Sequence, residues 1–223
     1  MPVYNEKDTV IKIIGKVLAL DILLELIVID DGSSDGTREI LQKTDFGSKV
    51  KKVYHDKNLG KGAALKTGFA RAIGDIVSVQ DADLEYEPNE FADLIKPIRE
   101  GLADVVYGSR LFGGKPQRVH MFWHKVGNAV ISLTMNILFN STLTDIETCY
   151  KVFKREVIKD VVIRSRGFSV EPEITAKILK RKELRVYEMP ISYYGRTYRE
   201  GKKITWRHGF SAIAAIFWYR FFD

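Results

Sequence analysis

Four short runs of strand character, LLELIVID (23–30), KVKKVYHD (49–56), DIVSVQ (75–80) and ADVVYGSR (103–110), divide the first half of the chain at near-even intervals. Between them lie TREILQK (37–43), GAALKTGFARAI (62–73) and NEFADLIKPIRE (89–100), which read as helices. VIKIIGKVLAL (10–20) precedes the first run, and Asn5 and Asp8 offer polar side chains for its start. Strands alternating with helices predict an α/β chain with an open, mostly parallel sheet wrapped by helices on both faces. In such sheets ligands bind outside the carboxyl ends of the strands. DDGSSDGT (30–37), HDKNLGKG (55–62), QDADLEYEP (80–88) and GSR (108–110) all fall at those ends. The pattern therefore places acids, glycines and Lys61 around one crevice.

The second half is less regular. VHMFWHKVGNAVISLTMNILFN (119–140) predicts a long helix with an apolar face. FSVEPEITAKILKRK (168–182) begins extended and becomes helical, LRVYEMPISYYGR (184–196) is a strand running into a basic loop, and WRHGFSAIAAIFWYRFF (206–222) closes as a helix. We read the 223 residues as a single domain, with a ligand-binding half over 1–110 and a second half over 111–223. The chain opens at MPVYNE with no strand before it, and the first strand of the sheet is expected upstream of residue 1.

Composition narrows the partners. A formal charge of +6 and a pI near 9.2 imply attraction to nucleic acid, anionic lipid or a phosphorylated substrate. The single cysteine, Cys149, excludes an intrachain disulfide and reads as a buried small hydrophobe in a reducing compartment. The apolar stretches stop well short of the roughly 20 residues needed to cross a bilayer.

Against this basic background, Asp81, Asp83, Glu85 and Glu87 concentrate negative charge directly after an apolar run. They do not form a calcium-binding EF-hand loop, because Tyr86 stands where its glycine would be and Ala92 where its glutamate would be. A glycosidase pair also fits poorly, since those acids flank a sugar from opposite sides. Asp-x-Asp at a strand end suits one hard divalent cation with open positions for phosphate oxygens. The plain alternative is a solvated strand face. NLGKGAAL (58–65) resembles two phosphate motifs and completes neither, so a helix-start loop with a solvated lysine remains open. Arg196, Arg199, Lys202, Lys203 and Arg207 are interleaved with Tyr193, Tyr194, Tyr198 and Trp206, a mixture suited to an anionic ligand or a lipid headgroup surface.

PVYNE, DDGSSDGT, NLGKGAAL, DADLEYEP, GSR and GRTYREGKK, in this order, resemble the family 2 glycosyltransferases with the GT-A fold. The dolichol-phosphate mannose synthase and polyprenyl-phosphate glucosyltransferase branch is the most similar. The resemblance covers nearly the whole chain, and it implies a nucleotide-sugar donor, Mg²⁺ or Mn²⁺, and inverting transfer of a hexose to a polyprenyl phosphate. GDP-mannose is the first donor it points to, UDP-glucose the second, and a non-lipid acceptor the third reading. Pro2, Tyr4 and Glu6 match the first donor-binding loop, Asp30 and Asp31 the acids that recognise base and ribose, and Lys61 the basic residue near the nucleotide. Asp81 and Asp83 match the metal motif, with Glu85 a possible third ligand. Arg110, Arg196 and Lys202 match the arginine of G-S-R and the basic loop over the phosphates.

The acceptor phosphate is ionised at neutral pH, so no catalytic histidine is needed, and His55, His120, His124 and His208 read as structural or surface residues. Relatives often end in transmembrane helices. Here 119–140 and 208–222, amphipathic and rich in aromatic residues, are expected to lie peripherally at the cytoplasmic membrane face, or alternatively against the core or a second copy of the chain. DIETCYKVF (145–153) departs from the mannose synthases and leaves the donor open. A nucleotide-sugar-binding module without turnover is the non-enzyme alternative. Nucleic-acid binding would explain the pI but not an acidic crevice at the strand ends.

Overall fold

The computed structural model describes residues 1–22, 25–119, 121–197 and 206–223. Val10, Ile13, Ile14 and Val17 recur at helical spacing, and all four are buried on α1 (Val10–Leu18). The N-cap is Thr9, neither Asn5 nor Asp8. Asn5 is instead left-handed (φ 52°) and ties two loops together, donating from its backbone N to Ser33 Oγ (3.0 Å) and accepting from Ser34 N (2.9 Å).

The parallel strands form where the β-branched runs predict them. β1 (Pro2–Val3), β2 (Leu26–Asp30) and β3 (Val50–Tyr54) make a three-stranded parallel sheet in that order. All five residues of β2 are buried, as a strand covered on both faces requires. Helices α2 (Thr37–Lys43) and α3 (Lys61–Phe69) follow β2 and β3.

A second sheet has the order β4-β6-β5-β7, made of β4 (Ile76–Ser78), β5 (Val105–Ser109), β6 (Lys151–Lys154) and β7 (Val186–Pro190). β5 and β7 are parallel, whereas β6 runs antiparallel to both β4 and β5. The sheet is therefore mixed in this half. β6 escapes the sequence pattern because Lys151, its first residue, is a fully buried lysine whose Nζ donates to Ile146 O (3.0 Å).

Helices cover both faces. α4 (Phe91–Arg99) packs Phe91, Leu94 and Ile98 against Val106 and Val152 of β5 and β6. The larger core gathers α5 (Phe122–Phe139), α7 (Val170–Lys180) and α8 (Trp206–Phe221) on Val105, Tyr107 and Phe153, with α6 (Arg155–Lys159) following β6. The α8 helix buries Ala212, Ile216 and Tyr219 in that core, which accounts for one face of a segment expected at a lipid surface. Its other side leaves Phe210, Phe217, Trp218 and Phe221 exposed, beside exposed Phe122, Trp123, Leu133 and Ile137 of α5.

Candidate active site

The loop after β4 carries the acids. Residues 79–87 are not strand, so the period-2 spacing of the four carboxylates is realised in a turn. Leu84 is left-handed (φ 62°), which folds the loop back and lets Glu85 N donate to Asp83 Oδ1 (3.1 Å). Asp83 and Glu85 thereby face the same guanidinium, while Asp81 turns to a different cation. Glu87 lies apart: it caps the 3₁₀ turn at Pro88–Glu90 and pairs with Lys16 (2.8 Å).

Arg196 approaches from the segment after β7. It sets two nitrogens on Glu6 (3.2 Å each), one of which is 3.3 Å from Asp83 Oδ2, and its Nε is 3.7 Å from Glu85 Oε1. Its backbone N donates to Glu85 Oε1 (2.7 Å) and Tyr193 Oη to Glu85 Oε2 (2.9 Å), so Glu85 fastens this segment to the acidic loop. Burial, reinforced by Asp81 and Glu85, pushes the Asp83 carboxyl up to about 7.

Lys61 opens α3 with its side chain only 11% exposed, which removes the solvated reading. Its Nζ lies 3.1 Å from Asp81 Oδ2, 3.0 Å from Glu171 Oε1 and 2.8 Å from Cys149 Sγ. Burial works against its proton, but Asp81, Cys149 and Glu171 hold the ammonium well above its ordinary range. Burial and Asp81 push the Cys149 thiol up, so it remains protonated beside the lysine. Cys149 is thus part of the polar cluster and not a plain apolar filler.

Other matched residues have intramolecular roles. Asp30 is fully buried and accepts from Arg38 Nε (2.6 Å). Asp31 accepts from Leu59 N (3.0 Å), Gly60 N (2.8 Å) and His55 Nδ1 (2.7 Å), joining the loops after β2 and β3. The loops after β2 and β3 therefore meet at the strand ends. His55, bridging Asp31 and Thr67, is structural. Arg110 forks onto buried Asp145 (2.6 and 2.7 Å) and lies 5.1 Å over the Tyr193 ring, supporting the segment that carries Arg196. Pro2 sits in β1, and Tyr4 is exposed in the loop that follows. Lys202, together with Arg199 and Lys203, lies outside the described residues.

The glycines of NLGKG serve a close approach. A Cβ on Gly62 would lie 1.9 Å from Ser165 O, and Gly62 N donates to Arg166 O (2.6 Å). Gly60 takes φ +93° with the same strap 2.3 Å from its would-be Cβ.

Three residues of the site carry no motif: Glu171, Glu147 and Asp145. Glu171 lies in the first turn of α7 and looks like an ordinary helix-start acid, yet it is buried between Lys61 and Lys151. Glu147 Oε1 is buried without a hydrogen-bond partner among the described residues, and burial with Glu171 nearby pushes its carboxyl up to about 7. A buried lysine hub is the signal that could have found Glu171, but it requires the fold.

These residues fit a divalent cation in one respect. Asp81, Asp83 and Glu85 lie close together, and burial first, with Asp81 and Glu85 adding to it, raises the Asp83 carboxyl to about 7. Among the described residues no three acidic, histidine or cysteine side chains are arranged as a ready-made metal centre. The donor set thus suits an ion held by one or two carboxylates and completed by phosphate and water oxygens.

Two sheets covered by helices, with acids and cations facing each other in the loops at their strand ends, define a mixed α/β fold with a charged strand-end site. Residues 1–162 match the family described as glycosyl transferase family 2, and the chain belongs to that family. Among curated relatives, glycosyltransferase AglJ of Haloferax volcanii is 30% identical over 87% of this chain and 62% of its own length. The undecaprenyl-phosphate 4-deoxy-4-formamido-L-arabinose transferase of Salmonella paratyphi A is 28% identical over 91% of this chain and 61% of its own. The chain thus spans about three fifths of these relatives. The fold matches glucosyl-3-phosphoglycerate synthase from Mycobacterium tuberculosis, solved with Mn²⁺, UDP-glucose and phosphoglyceric acid, at a TM-score of 0.74 and 20% identity over 98% of this chain and 77% of that one. The GT-A architecture expected from the sequence is borne out.

Proposed function

We propose that this chain transfers a sugar from a nucleoside-diphosphate donor to a polyprenyl phosphate, at the strand-end loops that bring the 81–85 acids against Lys61 and Arg196. The observation that carries this reading is the crowding of Asp81, Asp83 and Glu85 opposite Lys61 and Arg196. The lipid-phosphate acceptor is supported by the name of the Salmonella relative, and a nucleotide-sugar donor by the ligands of the mycobacterial fold neighbour.

The acceptor's phosphate oxygen forms the new bond to the anomeric carbon as the bond to the nucleoside diphosphate breaks, with inversion. That oxygen is already ionised, so the residues need not remove a proton. Their work is to hold two anions in line despite repulsion, which falls to Arg196 and Lys202 with Arg110 supporting from behind. Asp83 is the principal candidate ligand for Mg²⁺ or Mn²⁺, with Glu85 and Asp81 beside it. The ion, when bound, supplies neutralisation of the departing diphosphate. Lys61 keeps Asp81 ionised and oriented.

Among the described residues no helix is long and apolar enough to cross a membrane. The exposed aromatic faces of α5 and α8 support peripheral contact with the cytoplasmic membrane face, where the acceptor's lipid would reside. The same faces would also suit a second copy of the chain.

A donor panel including GDP-mannose and UDP-glucose, with short-chain polyprenyl phosphate and Mg²⁺ or Mn²⁺, tests the reading through released nucleoside diphosphate and glycolipid product. Metal-dependent glycolipid is expected from one donor. Transfer to phosphoglycerate with none to the lipid would replace the acceptor. Donor binding with no turnover on either would leave a binding module.

A further inference from the structure

Two arginines near the crevice are held very differently. Arg110 makes a tight fork on Asp145, at 2.6 and 2.7 Å. Arg196 makes longer bonds to Glu6 and Asp83, at 3.2 and 3.3 Å, and its Nε is buried without a hydrogen-bond partner among the described residues. Charge-assisted contacts at about 2.7–2.9 Å are the strong ones, and a buried unpaired donor adds a cost. Arg196 is therefore loosely seated in a cage of three carboxylates. Among the described residues it is the cation that pairs with Asp83 Oδ2, while Oδ1 is taken by Glu85 N.

We infer that Arg196 and a divalent cation compete for Asp83, with Glu6 acting as the resting seat of the guanidinium. This rests on the metal-dependent reading given above. A dication at Asp83 and a guanidinium 3.3 Å from the same oxygen repel strongly at the low effective dielectric of a crevice. The ion's arrival thus breaks the contact from Arg196 to Asp83 and frees the side chain for the next available anion, the donor diphosphate. The consequence is linkage: free metal binds weakly because it must displace Arg196, and nucleoside diphosphate improves metal affinity by giving Arg196 a new partner. Glu6, matched by resemblance to donor binding, becomes a positioning residue acting through Arg196.

The test is calorimetric titration of Mn²⁺ into the intact chain, without turnover, with and without nucleoside diphosphate. Arg196→Gln is expected to bind Mn²⁺ alone about tenfold tighter than wild type, and nucleoside diphosphate should improve its metal affinity far less. Arg196→Lys, which keeps a cation but not the fork, should fall between. Lys16→Gln removes a positive charge on α1 that pairs with Glu87 of the same loop, without vacating Asp83, and should change Mn²⁺ affinity by no more than about twofold. Equal or weaker Mn²⁺ binding by Arg196→Gln and Arg196→Lys would overturn the competition while leaving metal dependence standing. An equal gain in Lys16→Gln would reduce it to a through-space charge effect and overturn it as well. Absence of Mn²⁺ binding in every variant, with or without nucleoside diphosphate, would remove both this inference and the metal reading.

Discussion

Gly62→Ala places one methyl group where the chain has no room for it. The new Cβ would sit 1.9 Å from Ser165 O, 2.9 Å from Ser165 C and 3.1 Å from Arg166 O. Reaching an ordinary contact of 3.4 Å requires the 165–166 strap to retreat by about 1.5 Å, and the obstacle is backbone, which has no rotamer to escape into. That shift also breaks the hydrogen bond from Gly62 N to Arg166 O. Overpacking costs about 1–3 kcal/mol and the lost bond about 1, against a gain of about 0.5–1 for alanine over glycine in a helix. The net is a loss of about 1–3.5 kcal/mol, or roughly 2–14 °C in melting temperature for a chain of this size. Gly15→Ala on α1 is the matched control, since nothing lies within 4 Å of its Cβ, and it should be slightly stabilising. Thermal and urea unfolding of both variants measure this. A Gly62→Ala protein as stable as wild type would show that the strap does not rest on α3, and the account of the NLGKG glycines would fall.

Asp83→Ala should abolish turnover and metal-dependent donor binding with an unchanged far-UV spectrum; full activity would remove Asp83 from the metal assignment. Asp104 accepts from Lys154 (2.7 Å) and from Arg185 at Nε, Nη2 and backbone N (3.0, 2.9 and 2.9 Å), and the Arg185 hydrogen bonds hold its carboxyl well below the usual range. That stabilisation is present above the unfolded carboxyl's value near 4 and is lost as pH falls toward the folded value, so Asp104→Asn should cost about 1–2 kcal/mol at pH 7 and progressively less in acid. Glu147 has the opposite sign: its folded carboxyl is raised to about 7, so ionisation destabilises the fold increasingly from about pH 4.5 to 7. Glu147→Gln should gain up to about 3 kcal/mol over wild type at pH 8 and almost nothing at pH 4.5, read as a pH series of melting temperatures. Trp218→Ser with Phe221→Ser should cut sedimentation with anionic vesicles several-fold while leaving donor binding intact. Unchanged sedimentation would place the membrane contact elsewhere.

The parallel strands were legible because a strand covered on both faces reads as a short run without alternating polar residues, as in Leu26–Asp30 and Val105–Ser109, every residue of which is buried. β6 was not, because its first residue is a lysine that the fold buries against carbonyls and Glu171, an outcome local polarity cannot express. The convergence of the loops was legible as topology: strand ends converge whatever their residues, and Asp31, Leu59 and Gly60 do meet. The ion pairings were not. Lys61 and Glu171 lie far apart in sequence, as do Glu6 and Arg196, and no spacing rule connects them. The glycines were ambiguous in a specific way, since a loop built for a close backbone contact and one built for a phosphate ask for the same residues.

Each ion cluster also spans a boundary. Lys61 stands at the head of α3, on the side of the three-stranded sheet, while Asp81 and Glu171 belong to the four-stranded half. Glu6 follows β1, while Arg196 follows β7. The charges nearest the chemistry are therefore cross-ties between two slabs, and they carry mechanical duty before any substrate arrives. Variants screened for lost transfer will mix residues that touch the donor with residues that let the slabs part. Ranking the same variants by melting temperature separates them, because a cross-tie fails in both measurements and a purely chemical group in one.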